Sequence, residues 1–277
     1  MCDQEKITTH PGIGKWHDLP AWVSHKHHWF VVTDTHGDFD CMDTLVKAAP
    51  KEARIIHLGD IGDRGDFSYE CFELLDQRPD IELIRGNHDL FVHEFLFGSD
   101  PILNRVNLEI WLHNGGASFI DRIYYDIEAQ ELLKRVILRQ KLYLFDGNLF
   151  FVHSGLRVQD DFLSLSQKEF LQLEDYNVRF PENPQHLSWL GDAPGFFDQD
   201  ENTVWKNFPV KPFFIHGHRR CSKLDASETP MSPLDKMRTR PRIDTWRIGV
   251  DTHLGLNGLE IKDGMFRFYE VVPKTSD

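Results

Sequence analysis

Three short stretches concentrate side chains able to hold cations: Asp34-Thr35-His36-Gly37-Asp38, Gly59-Asp60-Ile61-Gly62-Asp63-Arg64-Gly65 and Arg85-Gly86-Asn87-His88-Asp89. His153 and the triplet His216-Gly217-His218 add further imidazoles. Carboxylate, amide and imidazole donors suit manganese, iron or zinc rather than soft copper. The interspersed glycines let loops turn sharply where a side chain would obstruct a metal or a phosphate. Singly, each of these residues reads as a turn former or a helix cap. Their recurrence after successive apolar runs carries the chemical reading.

Those runs are Trp29 to Thr33, Arg54 to Leu58, Ile81 to Ile84, Leu149 to Val152, Phe213 to Ile215 and Ile248 to Val250. They are nearly continuous rather than alternating, as expected of strands buried on both faces. Phe39 to Ala49 and Ser68 to Gln77 carry helical spacing, so the N-terminal half alternates strand and helix as a parallel sheet requires. Ligands of such sheets gather at the carboxyl edge. Asp146-Gly147 and Asp263-Gly264 lie between β-forming runs and predict tight hairpins. The fold class expected is α/β, with two mixed β-sheets packed face to face and flanked by helices, in a single domain over residues 1–277. Residues 1–28 hold His10, His17, His25, His27 and His28 at no metal-loop spacing, together with Trp16 and Trp22. They read as a non-catalytic extension that packs down.

The motifs D-x-H, G-D-x-x-D-R-G and G-N-H-D, in this order and spacing, resemble the calcineurin-like metallophosphoesterases, in particular the PPP phosphoprotein phosphatases. The resemblance runs from about Phe30 to Leu256. Trp111-Leu112-His113-Asn114-Gly115-Gly116 and Phe151-Val152-His153-Ser154-Gly155-Leu156-Arg157 are similar to the bacterial branch of small Ser/Thr or Tyr phosphatases and symmetrical diadenosine tetraphosphate hydrolases. The resemblance implies the calcineurin-like fold and two divalent metal ions, manganese (Mn2+) foremost, with iron or zinc as alternatives. It assigns Asp34, His36 and Asp60 to the first ion, and Asp60, Asn87, His153 and His218 to the second. Asp60 would bridge ions about 4 Å apart, and a water between them would attack phosphorus in line. His88 would be the general acid, held by Asp63. Arg64 would grip the phosphoryl oxygens, with Asn87, Arg157 and Arg219 as further substrate contacts. Arg85 would buttress its loop, and Asp251 would orient a ligand. At the triplet, His218 is the expected ligand rather than His216.

Some segments depart from the family pattern. Arg219-Arg220 stand where bacterial relatives carry Thr-Pro, Trp189-Leu190-Gly191-Asp192 lacks the family's arginine, and Thr252-His253-Leu254-Gly255 lacks its glycine and aromatic pattern. Residues 219–247 form a locally basic insertion with Arg238, Arg240 and Arg242. It reads either as a solvated loop or as a rim that steers anionic substrates.

A net charge of -13 disfavours nucleic acid and anionic membrane surfaces as partners, so an anionic substrate must be drawn in locally by metal or arginine. Hydrophobic residues at 40% and charged residues at 27% describe a globular chain with a sizeable core. No stretch matches a membrane span or a signal peptide, and Cys2, Cys41, Cys71 and Cys221 read as free thiols, so a cytoplasmic location is expected. The expected function is metal-dependent hydrolysis of phosphomonoesters, on phosphoprotein or a small phosphorylated molecule. Hydrolysis of dinucleoside polyphosphates is the alternative. An inactive metal-binding scaffold is the distant third, since no ligand and no acid is missing.

Overall fold

A computed structural model describes residues 11–99, 105, 108–154, 211–218, 242–245, 247–251 and 256–271. Strand β3 (Trp29–Val32), helix α1 (Phe39–Ala48), β4 (Arg54–His57), α2 (Ser68–Gln77), β5 (Glu82–Leu83) and α3 (Asn87–Phe97) follow one another as the apolar runs and helical spacings predict. β3, β4 and β5 are parallel. The helices between them carry their apolar residues on one side. In α1 the buried residues are Cys41, Met42, Leu45 and Val46, and the Asp38 side chain caps the helix by accepting from the Cys41 N–H at 3.1 Å.

The second sheet begins after a π-turn (Leu112–Gly116), α4 (Ala117–Ile123) and α5 (Ile127–Arg139). Its strands are β6 (Tyr143–Asp146), β7 (Leu149–Val152), β8 (Phe213–His216), β9 (Arg242–Asp244) and β10 (Arg247–Gly249), in the spatial order β6-β7-β8-β10-β9. β7, β8 and β10 are parallel, while β6 and β9 run antiparallel at the two edges. The C-terminal hairpin, β11 (Leu256–Lys262) and β12 (Met265–Val271), returns to the first sheet, where β11 pairs antiparallel with β3. Short strands β1 (Gly12–Ile13) and β2 (His17–Asp18) pair with β12. Part of the N-terminal segment therefore lies along this sheet edge, and Trp16 packs under the Arg267 guanidinium at 4.4 Å.

Strand alternation divides the core in two. Trp29, Val31, Ile56, Leu58, Phe151, Phe213, Ile215, Ile248, Leu259 and Ile261 fill the space between the sheets. Phe30, Val32 and Ile55 point the other way, onto α1, α2 and α5. Each fully buried side chain of this kind contributes roughly 1.5–3 kcal/mol of transfer free energy. Cys41 and Cys71 are buried free thiols within the helical layer. The result is that β3, β4, β5, β7, β8 and β10 all end at one edge.

Candidate metal centre

The loops leaving that edge are zipped together before any side chain is considered. The parallel ladder of β3 and β4 continues past the strands: Asp34, His36 and Gly37 donate backbone N–H bonds to the carbonyls of Gly59, Asp60 and Ile61, each at 3.0 Å. Such pairing forces sharp turns. Asp34 (φ 49°), His36 (45°), Asp60 (55°), Asp63 (74°), Arg64 (67°) and His218 (61°) all occupy the left-handed region. Among the described residues the other non-glycine there is Asp263 (49°), in the β11–β12 hairpin. Such conformations cost on the order of 1–3 kcal/mol each and cluster at functional sites. Glycine is demanded where two loops meet, because a Cβ on Gly59 (φ 97°) would lie 2.3 Å from the Gly86 nitrogen. A Cβ on Gly86 would lie 2.2 Å from Asp60 Oδ1.

Among the described residues two donor groups result, and both include Asp60: His36 with Asp60 and His88, and Asp60 with His153 and His218. Within each, the donor atoms lie within 4.8 Å of one another. His36 Nε2 is 3.6 Å from Asp60 Oδ2, and His153 Nε2 is 3.4 Å from Asp60 Oδ1. Each of these two rings places Nδ1 against a backbone carbonyl, Gly62 at 3.2 Å for His36 and Leu58 at 2.7 Å for His153. Nδ1 therefore carries the proton that makes this bond, and Nε2 is turned towards the cluster. Asn87 Oδ1 stands 3.1 Å from His153 Nε2, and His218 Nδ1 stands 3.2 Å from it. Asp34 adjoins both loops: its carboxylate accepts from the Thr33 hydroxyl and from the His218 backbone N–H at 2.9 Å.

A sequence profile described as calcineurin-like phosphoesterase matches residues 29–234, a span that contains every one of these donors. The chain belongs to the calcineurin-like phosphoesterase family. It is similar to serine/threonine-protein phosphatase 2 of Escherichia coli (strain K12), with 31% identity over 112 residues, 39% of this chain and 47% of that one. The match thus spans about half the length of that curated relative. Among solved structures, a protein serine/threonine phosphatase of Saccharomyces cerevisiae aligns with a TM-score of 0.56 at 16% identity, covering 91% of this chain and 82% of that one. A cold-active protein-tyrosine phosphatase of a psychrophilic Shewanella aligns with a TM-score of 0.54 at 14% identity, covering 90% and 80%. At such identities the likeness is one of fold, and it bears out the expected pair of mixed sheets with flanking helices. Among the described residues no helix is long and apolar enough to cross a membrane.

The electrostatics of this site favour positive charge beside Asp60. Burial pushes the Asp34 carboxyl above its ordinary range and Asp60 adds to the rise, although His153 opposes both. Burial works against the Asp60 carboxylate as well, but His153 and His88 outweigh it and hold Asp60 well below the usual range. Burial also disfavours a charged His153, yet Asp60 raises that ring to about 10. A wholly buried imidazole thus keeps a proton because positive charge is favoured beside Asp60. Metal ions displace protons from such ligands, so the nitrogen and oxygen donors present here fit divalent cations.

Beside these donors sits a second arrangement. His88 Nδ1 donates to Asp63 Oδ2 at 2.7 Å, and the exposed Arg64 donates to His36 Nε2 at 2.7 Å and to His88 Nε2 at 2.9 Å. Burial disfavours the imidazolium of His88, but Asp60 and Asp63 overcome it and raise its pKa. The two demands on His88 conflict, since a guanidinium N–H needs a bare Nε2 whereas the carboxylates favour a protonated ring. The Asp63 bond survives in either state and both its partners are buried, so it defines the ring. Arg64, exposed and long, is the partner that yields.

Asp34, His36, Asp60, Asp63, Arg64, Asn87, His88, His153 and His218 are therefore brought to one sheet edge. Arg157, Arg219, Arg220, Arg238 and Arg240 lie outside the described residues, as does the side chain of Arg242. His216 ends β8 fully buried and belongs to neither donor group, while Asp251 follows β10 at the same edge. Sequence reasoning left three residues without a role. Asp89, fully buried, accepts from the N–H groups of Asp60, Ile61 and Gly86, at 3.1, 3.1 and 2.9 Å, and so clamps the second motif to the third. Burial holds His57 neutral, at about 3, and it ties the first motif to the second. Its Nδ1 accepts from the Gly59 N–H at 3.1 Å, which leaves Nε2–H to donate to the Thr35 hydroxyl at 3.1 Å. Trp111 donates to Asp63. Asp89 and Trp111 were visible inside quoted motifs, but their partners were not.

Proposed function

We propose that this phosphoesterase hydrolyses phosphomonoesters, on phosphoprotein or a small phosphorylated molecule, as a PPP-type phosphatase. The observation that supports this reading is Asp60, whose two oxygens face the imidazoles of two different donor groups. Asp34, His36 and Asp60 would hold one divalent ion, and Asp60, Asn87, His153 and His218 a second. Manganese is the expected metal, and iron or zinc suits the same donors. When bound, the pair supplies Lewis-acid stabilisation of phosphoryl oxygens and eases deprotonation of a water.

The protein's own groups supply the rest. Arg64 exchanges its contacts with His36 and His88 for two phosphoryl oxygens, which a guanidinium can bond in parallel as their charge builds. Its departure frees His88 Nε2. Nε2, once free, takes up a proton from solvent; water then forms the new phosphorus–oxygen bond as the ester phosphorus–oxygen bond breaks, and the leaving oxygen takes the proton from Nε2 while Nδ1 stays on Asp63. The Asn87 amide, Arg157 and Arg219 are the further substrate contacts in this reading.

Protein purified without chelator, analysed for metal and assayed on p-nitrophenyl phosphate, phosphopeptides and diadenosine tetraphosphate, tests the proposal. Release of phosphate from the monoesters is expected, and it should vanish together with bound metal in Asp60→Asn. Preferential cleavage of diadenosine tetraphosphate would move the assignment to dinucleoside polyphosphates. A metal-replete, active Asp60→Asn would overturn the bridging role.

A further inference from the structure

The indole of Trp111 is 1% exposed, and its Nε1–H points into the site rather than to solvent. It lies 2.7 Å from both Asp63 Oδ1 and Asp63 Oδ2, so one N–H is shared across the carboxylate. Asp63 Oδ2 is also the acceptor for His88 Nδ1. The chain of contacts therefore runs from indole to carboxylate to imidazole through three buried residues. A carboxylate bonded through one oxygen alone can rotate about Cβ–Cγ. An N–H aimed between its two oxygens opposes that rotation and fixes where Oδ2 lies.

The indole is itself immobilised. Phe91, Phe95 and Phe119 surround it at centroid distances of 6.4, 5.8 and 6.0 Å. A Cβ on Gly116 would come within 2.4 Å of its Nε1, so the following turn closes directly over the ring. That turn also touches the other arm of the site, because the Arg64 backbone N–H donates to the Gly115 carbonyl at 3.0 Å. Phe91 stands one helical turn after His88 and meets its ring at 5.8 Å. Residues 111–116 thus hold both the partner of the proposed acid and the backbone of the proposed phosphoryl ligand. Plain core packing would account for the aromatic contacts but not for a donor shared between both oxygens of a buried carboxylate.

We propose that Trp111 is a positioning residue for proton delivery: through Asp63 it fixes the His88 ring so that Nε2 faces the leaving oxygen. This rests on the reading of His88 as the acid, and it concerns the proton-transfer step alone. Losing the indole N–H should therefore matter most where the leaving group needs protonation.

Two variants remove the N–H. Trp111→Phe keeps an aromatic ring, and replacement of Trp111 by benzothienylalanine keeps the bicyclic shape, which covers the case in which phenylalanine packs poorly. Each is compared with wild type and with His88→Ala for kcat and KM on phenyl phosphate and on p-nitrophenyl phosphate, for metal content and for thermal midpoint. The expected result is a fall of about 10- to 100-fold in kcat on phenyl phosphate, the range usual for a group one shell behind a reacting residue. A distinctly smaller fall is expected on p-nitrophenyl phosphate, with KM and metal content unchanged. An independent reading comes from the low-field proton resonance of His88 Nδ1–H in the zinc-loaded or metal-free protein: absent in His88→Ala, it should move in both Trp111 variants. Equal losses on the two substrates in His88→Ala would overturn the acid assignment, and the role of Trp111 with it. A graded response in His88→Ala beside an equal or absent loss in both Trp111 variants, with an unmoved resonance, would overturn the role of Trp111 alone.

Discussion

Buried carboxylates at the two ends of the sheets behave in opposite ways. Away from the candidate metal centre, Asp146 Oδ2 accepts from the backbone N–H groups of Lys26 and His27 and from Trp29 Nε1, at 3.0, 2.9 and 2.8 Å. Burial there is outweighed by these donors, and the acid is held below its ordinary range. Glu260 is similar: Tyr269, Arg267 and His28 converge on it at 2.7, 2.7 and 2.8 Å and overcome its burial. At the centre, burial wins at Asp34, Asp63 and Asp89, though not at Asp60, which His153 and His88 hold low. Asp34 and Asp63 are raised, and Asp89 rises to about 6 despite its backbone donors, through burial and the charge of Asp60. A carboxylate surrounded by donors stabilises the fold, whereas a crowded one stabilises it little until a cation arrives.

That contrast can be broken most sharply at Asp34. Asp34→Asn should lower kcat/KM on p-nitrophenyl phosphate by on the order of 10²- to 10³-fold, the scale for losing one electrostatic stabiliser. The same change should leave the metal-free protein as stable as wild type or more so near neutral pH. The sign follows from linkage: the folded pKa of Asp34 is raised, so its contribution is complete below the unfolded value and is lost as pH rises through the folded one. A large fall in metal-free stability would erase the distinction between the two ends.

Asp146→Ala should do the reverse. It leaves three N–H groups without their acceptor and should cost about 2–4 kcal/mol in urea unfolding, while kcat/KM stays within twofold of wild type. Loss of activity in the folded variant would show that this edge is not independent of the centre. Manganese titrated into metal-free protein should raise stability by about 2.7 kcal/mol at a hundred times the dissociation constant. The gain should persist in Asp146→Ala and shrink in Asp34→Asn, and calorimetry of the three proteins decides this. The smallest effect is expected at Glu260. Its folded pKa is depressed, so its contribution holds above the unfolded value and is lost as pH falls through the folded one. Glu260→Gln should therefore lower stability modestly in the neutral region and flatten the acid limb, so that variant and wild type converge as pH falls through the folded pKa.

The hairpins show how far local chemistry reaches. Asp263 (φ 49°) and Gly264 (φ 76°) are the two central residues of their turn, as the Asp-Gly pair predicts. At Asp146-Gly147 the hairpin also forms, but Asp146 pairs with Leu149, so the central residues are Gly147 (φ 64°) and Asn148. The reason is tertiary. Asn148 Oδ1 accepts from the Ser24 N–H at 2.6 Å and its amide donates to the Trp22 carbonyl at 3.0 Å, while Asp146 is occupied by residues 26–29. Both residues fasten the N-terminal segment instead of serving the turn alone.

Strand and helix positions were legible because they rest on patterns of a few residues: apolar runs for strands buried on both faces, and one apolar stripe for each helix. The donors after each strand were legible for the same reason, since a strand end and the loop following it are neighbours in sequence. What folding alone decided is who faces whom. Trp111 meets Asp63 across 48 positions, Asp89 meets Asp60 across 29, and His218 meets Asp34 across 184. Such hydrogen bonds leave no periodic trace in a chain. They exist because close packing of two sheets removes water from these groups, and buried donors and acceptors must then find one another.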